Sequence, residues 1–165
     1  ARRQEHLKFH ATTTVEFDPS DYQQNAGLVA YYNRHKFHFL AITHDPEMGR
    51  CLSILSCNGD WPECRLSYPL NQNVALGDQK QIELGLIIED DELQFYWRDG
   101  ANWTKIGPIL DAAVLSDEGG RGEHASFTGN FVGMAAFDLS GTASTSDFKS
   151  FTYDPQCAAI TFGEN

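Results

Sequence analysis

The sequence predicts an all-β domain in which two antiparallel sheets pack face to face. Three observations lead there. Apolar and polar residues alternate with a period of two along several segments, as half-buried strands require. Turn residues punctuate the chain at short, regular intervals, the spacing of a sandwich. Helical periodicity is almost absent, and residues 110–115 could form a single turn, hardly more.

The elements follow in order. Leu7, Phe9, Ala11, Thr13, Val15 and Phe17 alternate with His6, Lys8, His10, Thr12, Thr14 and Glu16, giving a long first strand with one buried face. Asp18, Pro19, Ser20 and Asp21 end it with turn chemistry. Residues 26–33 and 36–45 are apolar at nearly every position, so they read as strands covered on both faces, with Arg34 and His35 at the hairpin tip. Tyr31 and Tyr32 then point to opposite faces, which leaves at most one of them to solvent. A turn at 45–49 leads into the strand RCLSILSC, and the chain turns again at 58–62. The stretch 67–77 gives no assignable element. Alternation resumes at Ile82, Leu84, Leu86 and Ile88, and continues past the acidic turn 89–92 through Leu93, Phe95 and Trp97. Asp99-Gly100 signals a hairpin before the strand through Trp103. After a glycine-rich loop at 119–122, the last long strand begins near Phe127, and DFKSFTY at 147–153 supplies one more.

Composition narrows the function classes. A chain of 165 residues with 41% hydrophobic and 12% aromatic side chains suits one globular domain with its own core. A net charge of −11 excludes nucleic acid as a partner, since phosphate binding needs a basic face. No apolar run approaches the roughly 20 residues of a membrane helix, so no membrane partner is expected. The chain enters strand-like sequence at ARRQEHLKF without a start methionine or a signal pattern, and so reads as a processed or excised piece of a longer protein. Cys51, Cys57, Cys64 and Cys157 allow three full pairings, among which spacing does not choose. Asn102-Trp103-Thr104 is a sequon usable only in a secreted protein, and extracellular and cytoplasmic locations stay equally open.

Four segments, in this order, carry a resemblance: ARRQEHLKFHATTTVEFDP at 1–19, AGLVAYYNRHKFHFLAITHD at 26–45, DELQFYWRDGANWTKIGPILDAAVLSDE at 91–118 and SFTGNFVGMAAFDLSG at 126–141. Together they resemble the C-terminal domain of β-xylosidases of glycoside hydrolase family 43. The resemblance implies a concanavalin-like jelly roll over residues 1–154, a C-terminal tail at 155–165, and a catalytic five-bladed propeller upstream of this chain. It implies hydrolysis of β-1,4-linked xylo-oligosaccharides from the non-reducing end with inversion, in many members together with α-L-arabinofuranosidase activity. The catalytic carboxylates would belong to the propeller, so this chain contributes none and alone should be inactive. In such enzymes one phenylalanine of the sandwich reaches the sugar pocket, and Phe127 in SFTG matches it. Arg2, Arg3 and Gln4 match the opening RRQ and are expected at the propeller interface. The tail and the TASTS loop at 142–146 depart from the family pattern. The loop weakens inference about subunit contacts and leaves a homo-oligomer open.

Other candidate residues read more simply. Inverting hydrolysis needs an acid and a base roughly 6.5–9.5 Å apart, and the acids clustered at Glu89, Asp90, Asp91 and Glu92, or at Asp117 and Glu118, fit solvated turns instead. His6 and His10 share a face of the first strand and His35 and His38 straddle a turn, but zinc needs three or four converging ligands. No metal and no cofactor is therefore expected. Among the aromatics, Trp61 is the ring most apt to stack on a glycan, because Gly59 and Pro62 set it in a turn. That ring supports an alternative reading as a free-standing carbohydrate-binding module for xylan or related glycans. Phe131, on the same parity as Phe127, is the rival for the pocket-lining position.

Overall fold

In the computed structural model, which describes residues 1–59, 63, 65–98, 100, 102–119, 128–157, 160, 162 and 163, the chain opens with the two-residue strand β1 (Arg2–Arg3). The alternating first segment becomes β2 (Lys8–Glu16), with Phe9, Ala11, Thr13 and Val15 buried and their neighbours facing outward. Leu7, expected inside this strand, precedes it and is 72% exposed. Its carbonyl accepts from the Asp90 backbone N–H at 2.9 Å, which ties it to a turn instead of a ladder.

The next three strands, β3 (Gln24–Asn33), β4 (Lys36–Asp45) and β5 (Gly49–Asn58), form an antiparallel meander. The unassigned stretch supplies two short strands, β6 (Leu66–Ser67) and β7 (Val74–Ala75), both paired with β5. Then come β8 (Gln81–Glu89), β9 (Glu92–Arg98), β10 (Thr104–Asp111), a 3-10 turn (Ala113–Leu115), β11 (Phe131–Asp138) and β12 (Asp147–Asp154).

Among the described residues these strands make two antiparallel sheets. The larger runs β1-β11-β3-β4-β5-β6 with β7 also on β5, and the smaller runs β10-β9-β8-β2-β12. The late strands β11 and β12 return to pair with the early strands β3 and β2, so each sheet is closed by distant sequence. Between the sheets lie Phe9, Val15, Leu28, Leu40, Ile54, Leu84 and Phe95, all without exposure. Each such side chain contributes on the order of 1.5–3 kcal/mol through burial. A second cluster, Val29, Phe39, Ala41 and Leu55, covers the outer face of the larger sheet. That cluster is why β3 to β5 lack alternation: both of their faces are apolar.

Two boundaries differ from expectation. Leu110 and Asp111, read as the start of a helical turn, complete β10 opposite Leu93 and Glu92. A register shift between Ile106 and Leu110 realigns them, with Gly107 at φ 75 supplying the left-handed backbone that the bulge needs. The last long strand begins at Phe131, not near Phe127, because its ladder starts where Phe131 pairs with Tyr31 on one side and Arg3 on the other. Phe127, Trp61, Cys64, Asp99 and residues 120–122 of the glycine-rich loop lie outside the described residues. Cys51 and Cys57 sit buried within β5, and burial pushes the Cys51 thiol up to about 11. No described helix is long and apolar enough to cross a membrane.

Candidate functional site

Arg2, Arg3 and Gln4 come together at one end of the larger sheet, beside residues 128–130. Arg2 and Arg3 are exposed, and Gln4 is half-buried. The Arg3 guanidinium lies 4.9 Å from the centre of the Phe131 ring and donates to the Thr128 carbonyl. Gln4 exchanges two hydrogen bonds with Asn130: its backbone N–H donates to the Asn130 carbonyl at 2.9 Å, and the Asn130 side-chain amide donates to Gln4 Oε1 at 2.8 Å. Arg2 turns the other way, 2.7 Å from Glu5 and 4.3 Å from the centre of the Tyr153 ring. Gly129, at φ 71, supplies a left-handed backbone that other residues rarely adopt, close beside the Arg3 guanidinium.

Two buried side chains, Tyr32 and Lys36, anchor a hydrogen-bonded constellation at this end. Tyr32, at the end of β3, donates its hydroxyl to Asp117 Oδ1 and accepts from the Thr128 backbone N–H at 3.4 Å. Gly129 N–H donates to the same Asp117 oxygen at 3.4 Å. Lys36, at the start of β4 and without exposure, donates to the Ser116 carbonyl at 3.0 Å and sits 4.0 Å from the centre of the Tyr32 ring. Burial lowers the Lys36 pKa, and the Asp117 charge opposes that shift. These side chains grip residues 116–117 on one side and 128–129 on the other. The described residues on either side of 120–127 are thereby fixed. A hollow of about 420 Å3, lined by Gln4, Leu7, Asp90, Asp117 and Asn130 among others, opens between them.

This brace was not anticipated from sequence. Strand parity set Tyr31 and Tyr32 on opposite faces without choosing between them, and the structure turns Tyr32 inward: it is 3% exposed against 41% for Tyr31. Its partners, distant in sequence, left no local signal. The remaining candidates fall apart spatially. Asp91 and Glu92 are exposed at the β8–β9 turn, whose geometry puts Asp90 at φ 56. His6 Nδ1 lies 3.2 Å from the Tyr153 hydroxyl, whereas His38 is buried between Ser56 Oγ at 2.7 Å and the Asp111 carbonyl at 3.0 Å. Burial lowers the His38 pKa, so it stays neutral in the core. Phe131, the rival ring, is half-buried beneath Arg3.

Comparison with known proteins gives this geometry a context. Residues 1–154 match the family described as the β-xylosidase C-terminal concanavalin A-like domain. A xylosidase/arabinosidase 43B of Humicola insolens is 45% identical over 157 residues, covering 94% of this chain and 29% of that protein. A β-xylosidase of Bacillus subtilis is 39% identical over 155 residues, covering 93% of this chain and 28% of that protein. The crystal structure of a xylan β-1,4-xylosidase from Bacillus halodurans superposes with a TM-score of 0.87 at 33% identity, over 93% of this chain and 29% of that one. The chain thus spans less than a third of the relatives it matches, and what it matches in them is their C-terminal domain. With its two antiparallel sheets and a match along almost all of its length, the chain belongs to the C-terminal concanavalin A-like domain family of the β-xylosidases.

Proposed function

We propose that this sandwich is the accessory domain of a β-1,4-xylosidase that also removes α-L-arabinofuranosyl groups, and that it braces a catalytic propeller lying upstream in the same enzyme. The domain comprises residues 1–154, followed by the tail 155–165. The propeller supplies the acid and the base that release xylose from non-reducing ends of xylo-oligosaccharides with inversion. The observation that carries this reading is coverage: 94% of this chain corresponds to only 29% of a relative named for both xylosidase and arabinosidase action. Residues 1–4 and the two anchored flanks at 116–117 and 128–129 give the contact surface its stiffness. Arg2 and Arg3 present cations there, and Gln4 presents amide groups.

Phe127 has one physical job in this scheme. An aromatic wall beside the bound sugar excludes water and shortens the pocket, which favours cleavage at chain ends. The test is Phe127→Ala in the full-length enzyme. Losing a Phe contact of about 1.5–3 kcal/mol lowers kcat/KM on an aryl β-xyloside roughly 10- to 100-fold. Circular dichroism should stay unchanged. Wild-type kinetics in a correctly folded variant would overturn the assignment.

A further inference from the structure

The outer face of the larger sheet opens into a groove of about 840 Å3 at the opposite end of the strands from the brace. Phe137, on its floor, follows Phe131 by six positions along β11, which puts the groove about 20 Å from Arg3 and the Thr128 flank. This inference does not depend on the reading of Phe127.

Two exposed tyrosines line the groove. Tyr22 is 65% exposed and Tyr68 62%. Both are presented from fixed backbone. The Tyr22 carbonyl accepts from the Asn25 side-chain amide at 3.0 Å and from the Thr43 hydroxyl at 3.3 Å. Tyr68 directly follows β6, where the Ser67 hydroxyl donates to the Ser56 carbonyl at 3.0 Å. Asn71 and Gln72 line the same groove. No lysine or arginine appears among the described residues that line the groove. Its Asp45 carboxylate is already engaged by the Glu47 and Met48 backbone N–H groups at 2.9 and 3.1 Å.

We propose that this groove binds a neutral glycan chain. Exposed flat rings stack on the C–H faces of sugar rings, and side-chain amides both donate to and accept from hydroxyls. The absence of lysine and arginine among the described lining residues, in a chain of net charge −11, disfavours acidic polysaccharides and other anions. From β11 to β6 the groove crosses four strand spacings, about 19 Å, which accommodates several sugar rings.

The test is native affinity electrophoresis of the full-length protein through gels containing soluble arabinoxylan or mixed-linkage β-glucan. Wild type is retarded in at least one gel. Tyr22→Ala with Tyr68→Ala weakens that retardation about tenfold, the loss of two stacking platforms, whereas the double Phe variant keeps it. Aryl xyloside hydrolysis stays unchanged in both. Phe127→Ala, which alters that hydrolysis if the pocket-lining reading holds, leaves retardation intact, so the two readings fail separately. Equal migration of wild type and the double Ala variant, with or without retardation, overturns the groove. So does light scattering that shows the Ala variant dissolving a wild-type oligomer, which would assign this face to contact between copies.

Discussion

Lys36 has no exposed surface, yet it carries an ammonium group at the inner end of β4. A buried cation is costly unless its donors are met, and here a carbonyl, an aromatic face and the nearby Asp117 charge meet them. Tyr32 is the hinge of that arrangement, since its ring faces Lys36 while its hydroxyl bonds Asp117 and Thr128. Tyr32→Phe keeps the ring and deletes the hydroxyl. It should cost about 0.5–1.5 kcal/mol, read as a lower urea midpoint, because Asp117 and the Thr128 amide, both on exposed residues, lose a partner that water only partly replaces. An unchanged midpoint would show that water replaces the hydroxyl freely. At this scale the sequence was only half legible. Strand parity set Tyr31 and Tyr32 on opposite faces without saying which turns inward, and nothing local linked Tyr32 to Asp117, 85 positions away.

Strands announced themselves according to how many of their faces meet water. β2 and β8 alternate because one side of the smaller sheet is solvated, and their buried positions were readable one by one. β3 to β5 could be recognised as strands but not oriented, since Val29, Phe39 and Leu55 make an outer face as apolar as the inner one. The β11 boundary was misplaced because the strand is defined by its partners Tyr31 and Arg3, and not by any change in its own composition. Beyond β11, the loop that departs from the family pattern has its own device. Asp138 accepts from the Ser140 and Ser144 backbone N–H groups, both at 2.8 Å, and from the hydroxyls of Ser140 and Thr142. Gln24, at the start of β3, donates to both of those hydroxyls, so the loop is pinned to the neighbouring strand. Hydrogen bonds to Ser140 and Ser144 push the Asp138 carboxyl down to about 2. A depressed carboxylate adds stability above its unfolded value and loses it as pH falls through its folded value. Asp138→Asn should therefore lower the urea midpoint at pH 7, and the gap from wild type should close between pH 3.8 and about 2. A gap that persists unchanged at the acid end would mean the loop is held without the charge.

At the scale of the whole molecule, each sheet carries an outer face that its own strands leave partly open, and the chain treats the two differently. On the larger sheet the outer cluster ends in the groove lined by Tyr22 and Tyr68. On the smaller sheet the described part of the tail closes the gap. Tyr96 packs so tightly against Gly85 that a Cβ there would stand 2.1 Å from the ring, and Trp103 meets Tyr96 edge-on at 4.9 Å. Phe162 bridges to Trp103 and meets Tyr96 edge-on at 5.7 Å, and Gly163 N–H donates to the Trp103 carbonyl at 3.0 Å. Tyr96 ends with no exposure, and burial raises its phenol pKa. Phe162 thus behaves as part of the sandwich although it lies beyond the residues matched by the family. Phe162→Ala removes one half-buried ring, about 1–2 kcal/mol, and should lower the thermal midpoint by roughly 2 to 8 °C. Trp103 should gain solvent, seen as a red shift of tryptophan emission in the folded protein. If both midpoint and emission match wild type, the tail is undocked in solution and Tyr96 is covered by other means.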